Sequence, residues 1–365
     1  MSAAETVTAQ APARSQIGEW RRFVVTLLLV LSPLLLVGAA LELLAWRVGE
    51  TLSATATATW QDGAPGRIWR GGDGHSYLTY RLARIADLKP DIIALGSSRA
   101  NAFRGDAVSP YTFYNAGLTA WTFDQYRRFL ELIGRDGYPP RALIFNLDYW
   151  MLSPGFDHYS AERFDPLPAT HVSGLLRVVG QLCEDPMRLL RVLPATERMQ
   201  GLLALLSGDG FGADGALTAK PTTSDPRRLI DDGTSVGTPP VELGPGIAPQ
   251  QVEAFEHFAA VAKAKHVALI GIQLPFYRKI LDGLNGDPQA GIWREFAGAE
   301  WRQRMAAAGV VFFDFAELPE YSDKPEYFVG SLDPDTRLVA QVMRLVVADP
   351  RVAALLPKAG KPEGR

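Results

Sequence analysis

The sequence predicts an α/β domain built on a doubly wound, mostly parallel five-stranded sheet, carried behind one N-terminal transmembrane helix. Three observations predict it: five short apolar runs recur along the chain, helical patterns separate most of them, and an unbroken apolar stretch opens at residue 23. Strands alternating with helices favour a parallel sheet covered on both faces, and ligands of such sheets bind at the carboxyl ends of the strands.

The apolar stretch comes first along the chain. No charged residue interrupts it from Phe23 to Ala40, and apolar character resumes at Leu44, Ala45 and Trp46. A helix over 23–40 spans about 27 Å at 1.5 Å per residue and one over 23–46 about 36 Å, enough to cross the hydrocarbon core. Arg21 and Arg22 precede it and Trp20 and Trp46 flank it, so the positive-inside rule leaves residues 1–22 as a cytoplasmic tail and carries the rest outward, to the periplasmic or extracytoplasmic side. The rival is a cleaved signal peptide, because Gly38-Ala39-Ala40 supplies small residues. Its apolar region would then exceed the usual length of about 7–15 residues.

Residues 47–76 are rich in Ala, Thr and Gly and read as an irregular tether. The domain proper spans 77–348. Its apolar runs fall at 91–95, 112–115, 142–145, 267–272 and 310–313; helical patterns fall at 77–88, 123–133, 249–265, 293–308 and 336–347. In the second of these helices Phe123, Tyr126, Phe129 and Leu130 recur at helical spacing. An insertion over 151–248 separates the third and fourth strands. It is helical in pattern at first, then dense in Gly, Pro, Asp and Thr, and reads as a lid or partner contact, or as a linker. Residues 349–365 form a C-terminal tail.

Composition narrows the chemistry. A net charge of -3 gives no reason to expect nucleic acid as a partner. The one cysteine, Cys183, excludes an internal disulfide and reads as a buried small hydrophobe rather than a nucleophile. No spacing of His, Cys and carboxylates suggests a metal, and no glycine-rich turn has the strand–loop–helix setting of a phosphate cradle, so no cofactor is expected.

The most informative segment is Leu95-Gly96-Ser97-Ser98-Arg99, where the first strand ends and a helix should begin. Backbone N–H groups at such a junction favour an anion, and a serine there can be a nucleophile or simply a helix cap. Gly96-Ser97-Ser98 resembles the first block of SGNH (GDSL-type) hydrolases, whose nucleophile would be Ser98. Tyr114-Asn115-Ala116-Gly117 is similar to the second block, which would make the Gly117 N–H an oxyanion donor beside Asn115. Asn146-Leu147-Asp148-Tyr149 stands where the third block belongs, with Asp148 at the place of the oxyanion-donating Asn. The resemblance implies a flavodoxin-like sheet over residues 77–347 apart from the insertion. The Gly-Ser-Ser-Arg form behind an anchor, including Ser97 and Arg99, resembles accessory proteins of cell-envelope polysaccharide acylation, of the alginate O-acetylation and teichoic-acid D-alanylation types.

Departures from the family are equally specific. The closing Asp-x-x-His reads Gly330-Ser331-Leu332-Asp333, which places Asp333 where the general base His belongs. A carboxylate of ordinary pKa near 4 is a poor base for a serine at neutral pH, and a carboxylate at 148 would repel an oxyanion. Of the five histidines, His158 follows the third strand and is the weak candidate for a replacement base; His75 and His171 have less claim, while His257 and His266 read as solvent or packing positions. The resulting expectation is a catalytically degenerate SGNH-like domain that assists acylation or export of a cell-envelope polysaccharide, with a membrane-bound O-acyltransferase as partner. The alternatives are an active serine esterase or O-acyltransferase with an unorthodox base, and a non-catalytic scaffold.

Overall fold

A computed structural model describes residues 14–72, 75–135, 138–154, 156, 164, 171–218, 244–329 and 332–356. The chain opens with α1 (Arg14–Arg47), α2 (Ala54–Asp62), β1 (Ile68–Trp69) and α3 (His75–Leu88). It continues through β2 (Ile92–Leu95), β3 (Phe113–Asn115), α4 (Phe123–Arg135) and β4 (Ala142–Asn146). The insertion carries α5 (His171–Glu184), α6 (Pro186–Val192), β5 (Met199–Gln200), α7 (Leu202–Ser207), β6 (Gly210–Phe211) and β7 (Leu217–Thr218). Next come α8 (Pro249–Ala264), β8 (Ala268–Gln273), α9 (Arg278–Gly286), α10 (Gly291–Phe296), α11 (Ala299–Ala307) and β9 (Val310–Asp314). The described chain closes with β10 (Phe328–Val329), β11 (Asp333–Pro334), α12 (Thr336–Ala348) and α13 (Pro350–Leu355).

Five parallel strands form the main sheet in the order β3-β2-β4-β8-β9. Numbered along the chain this is 2-1-3-4-5, so the connections reverse direction between β2 and β4. The crevice at their carboxyl ends is the place where such sheets bind ligands. Alternate residues of each strand point to opposite faces. Ile93, Leu95, Leu143 and Phe145 join the core under α3, α4 and α8, through Leu78, Ile85, Phe123, Phe129 and Phe258. Ile92, Ala94, Ala142 and Ile144 join a second core with Val339, Val342 and Val346 of α12. Burial on both faces explains why β2 and β4 read as continuous apolar runs rather than alternating ones. Each buried Val, Leu or Met of α12 contributes about 1.5–3 kcal/mol, so a charge at Val342 would detach that helix.

The five expected strands and four of the five expected helices stand within three residues of their predicted bounds. The pattern over 293–308 is instead two helices, α10 and α11, separated at Ala297 and Gly298. A helix at 278–286 was not anticipated.

α1 is long and apolar enough to span a membrane, none of its apolar window is buried, and it begins at Arg14 rather than at 23. The expected irregular tether is corrected: residues 51–75 contain α2, the strand β1 and the start of α3. Ser53 caps α2 by accepting from the Ala56 N–H at 3.1 Å. β1 pairs in parallel with β5 and antiparallel with β6, giving a second sheet in the order β5-β1-β6-β7. Those partners come from the insertion, more than a hundred residues away, so no local pattern could announce them. The turn between β6 and β7 docks on the main sheet, where the Asn115 N–H donates to the Asp214 carbonyl at 2.8 Å. The C-terminal tail is corrected too, since its first residues form α13 capped by Asp349.

Candidate functional site

The site is built where β2 ends. Gly96 takes φ +152°, a backbone conformation that side-chain-bearing residues avoid, and a Cβ there would meet both Ala100 Cβ and Asn146 Cβ at 2.7 Å. This glycine lets the chain turn tightly across β4. The expected helix is corrected to a single 3-10 turn, Ser98–Ala102. The two serines divide the roles that the sequence left open. Ser97 caps the turn, accepting from the Arg99 N–H at 3.4 Å. Ser98 is exposed, and its Oγ donates to Asp333 Oδ1 at 3.4 Å.

Arg99 turns inward and is almost completely buried. Its Nη1 bonds Asp148 Oδ1 at 2.5 Å, Nη2 donates to the Leu274 and Pro275 carbonyls at 2.8 and 2.7 Å, and Nε donates to the Leu332 carbonyl at 3.1 Å. The guanidinium carbon lies 4.4 Å from the centre of the Phe276 ring and 5.7 Å from that of Trp150. One side chain thus ties together the segments that follow β2, β4 and β8 and the loop that leads into β11. Its planar fork suits that work in a way that a lysine would not.

Asp148 is fully buried. Besides Arg99 it accepts from Ser97 Oγ at 2.9 Å and from Asn146 Nδ2. Burial pushes its carboxyl up from the ordinary value, against the pull of Arg99, Ser97 and Asn146. Asn115 and Gly117 are likewise turned to the interior. The Gly117 N–H donates to Asn115 Oδ1 at 2.7 Å, and Asn115 Nδ2 donates to the Ala100 and Phe103 carbonyls at 2.8 and 3.0 Å. Together they fasten the end of β3 to the turn that bears Ser98.

Asp333 reaches Ser98 because β10 and β11 form a small antiparallel hairpin in which Val329 faces Asp333. Burial pushes its carboxyl up to about 6; the neighbouring Asp148 adds to the shift, while Arg99 and the Ser98 bond oppose it. It is therefore not a carboxylate of ordinary pKa, which corrects the expectation drawn from its residue type.

Of the expected site residues, Ser97, Ser98, Arg99, Asn115, Gly117, Asp148 and Asp333 come together at the carboxyl edge of β2, β3 and β4. His158 and Gly330 lie outside the described residues. His171 stands instead against α1, with its Nε2 2.7 Å from the Glu42 carboxylate. Sequence reasoning missed Asn146, Trp150 and Phe276 as supports. Asn146 stands two residues before Asp148, at the spacing that puts both on one side of an extended strand, and that was the available signal. Among the described residues no group of His, Cys and carboxylates could hold a metal ion. No family model, curated protein or solved structure matches the chain.

Proposed function

We propose that this chain is a membrane-anchored, extracytoplasmic SGNH-like domain that has lost ester-cleaving machinery and assists acylation or export of a cell-envelope polysaccharide beside a membrane-bound O-acyltransferase. One observation carries the loss of catalysis: the groups that the family aims at a reacting carbonyl are consumed inside the protein. The Gly117 N–H is bonded to Asn115, the third-block position is a carboxylate held by Arg99, and a carboxyl stands where the imidazole belongs. An oxyanion needs donors preorganised toward it, and these point elsewhere. The acylation setting is supported by the likeness of Gly96-Ser97-Ser98-Arg99 behind an anchor to accessory proteins of that process, and the orientation by Arg21 and Arg22 ahead of α1.

The test is covalent labelling of the full-length protein, in membranes, by a serine-reactive phosphonate, together with acetyl-ester hydrolysis. No labelling above the Ser98→Ala background is expected, and Ser98→Ala should restore whatever polysaccharide acylation a deletion of the gene removes.

A second reading has its own support. Asp333 at about 6 bonded to Ser98 is closer to a useful base than an ordinary carboxylate. On that reading labelling occurs, rises as pH passes through 6, and is lost in both Ser98→Ala and Asp333→Asn.

A further inference from the structure

We propose that α5 and α6 form a foot seated in the interfacial layer of the lipid bilayer, so that the domain is fixed against the membrane rather than swinging from it. The proposal rests on reading α1 as a membrane span.

The outer side of this helix pair carries an apolar stripe, broken only where the exposed Glu184 and Asp185 join the two helices. Val172, Leu176, Gly180 and Cys183 recur at helical spacing along one face of α5, and all four are exposed. Met187 and Leu190 continue the stripe on α6. Val172 and Leu176 are 62% and 65% exposed, Met187 and Leu190 57% and 51%, an unusual amount of open apolar surface for so short a segment. Arg188 and Arg191, both exposed, flank the last two, where lipid phosphates would lie.

The inner side is locked onto the end of α1. Val178 is buried in one cluster with Ala45 and Val48. Gly174 lies so close to the chain after α1 that a Cβ would come within 2.4 Å of the Glu50 carbonyl oxygen. The buried Glu50 carboxylate accepts from Arg177 Nε at 2.7 Å, the Gly72 N–H at 3.1 Å and the Leu202 N–H at 2.5 Å, joining the end of α1 to α5, α7 and the loop before α3. His171 meets Glu42, which places the first turn of α5 abreast of the apolar run of α1 and level with its exposed Leu43. The flanking Trp46 stands four positions beyond Glu42, about 6 Å along the helix. Interfacial helices sit about 5–10 Å deep. Continuity with the lipid-facing surface of α1 selects the bilayer as occupant of the stripe.

Cys183, the one cysteine, is exposed on the stripe, which corrects the buried position expected from its residue type, so it can report the seat directly. The full chain is placed in vesicles of phosphatidylcholine and phosphatidylglycerol with Cys183 carrying an environment-sensitive fluorophore, and quenched by nitroxides at headgroup or deep acyl positions. Two Cys183→Ser chains carry the probe at Glu300→Cys, exposed on α11 and outside α1, α5 and α6, or at Leu31→Cys, within α1. Headgroup quenching at 183 at least twofold above that at 300, with deep quenching at 31, is the expected result. Deep quenching at 31 with 183 behaving like 300 overturns the foot and leaves the anchor standing. A probe at 183 that is shielded in native membranes but open to water in pure vesicles assigns the stripe to a protein and overturns the lipid seat. Water-like behaviour at 31 overturns the anchor and the foot with it.

Discussion

Consecutive residues at the end of β2 have opposite fates. Ser97 and Arg99 point inward to Asp148 and Asn146, in a network whose carboxylate is fully buried and tied by three side chains. Ser98 points outward to Asp333, and the two share one long bond at a half-open surface. In the inner set only Asn146 Oδ1 is buried without a hydrogen-bond partner. The contrast separates two properties that a strand-end motif can merge. The inner layer holds the ends of β2, β4 and β8 together, and the outer pair is the part left over for chemistry. A strand-end turn of this kind can therefore keep its inner half for structural reasons alone.

The comparison can be broken most forcefully at Arg99. Arg99→Met should cost about 3–5 kcal/mol, because it strands the buried Asp148 carboxyl. Asp148→Asn should destabilise as well by stranding Arg99, and the double variant should recover more than 1 kcal/mol of the summed loss. Thermal and denaturant unfolding of the full chain in detergent would measure this, and strict additivity of the two single losses would refute a coupled pair.

Next in size is the pH dependence of the outer pair. The folded pKa of Asp333, about 6, lies above its unfolded value, so the native state holds the proton more tightly. The associated stability is fully present below about pH 4, is lost as pH rises to about 6, and changes little beyond. Its ceiling is about 3 kcal/mol for a shift of this size, reduced by solvent at a half-open position. Asp333→Asn should lack that slope and be more stable than the parent at pH 8. Identical stability–pH curves for the two proteins would show that Asp333 is unperturbed.

Gly117→Ala probes the layer between. Its Cβ would stand 2.9 Å from Asn115 Oδ1 and 3.1 Å from Asn101 Oδ1. A loss of about 1–3 kcal/mol is expected, as for other overpacked sites. If the Gly117 N–H were instead directed at a ligand, stability would hold while binding failed. The smallest effect belongs to Ser98→Ala, expected to stay within about 0.5 kcal/mol because the hydroxyl is exposed and makes one weak bond. A larger loss would move Ser98 from the outer pair into the structural layer.

Much of this arrangement was legible in the chain. Buried parallel strands announce themselves as apolar runs, and the glycine, serines and arginine after the first run marked the turn where the candidate residues gather. The local residues did not separate Ser97 as cap from Ser98 as exposed group, because both are chemically the same and the turn geometry divides them; the resemblance alone had pointed to Ser98. The role of Arg99 was hidden for a related reason: its partners at 148, 274, 275 and 332 lie 49 to 233 residues away. The 51–75 segment was misread since β1 is two residues long and exists through pairing with β5 and β6.

By itself the sequence determined the apolar helix long enough to cross a membrane, the α/β class and the gathering of the candidate site residues at the strand ends. These follow from local composition and periodicity, which burial imposes residue by residue. Tertiary structure decided that the apolar helix is joined to the domain through Glu50, that Arg99 and Asp148 form a buried brace, and that Asp333 holds its proton to about pH 6. Each of those depends on which distant groups share a low-dielectric space, and no pattern along the chain encodes that directly.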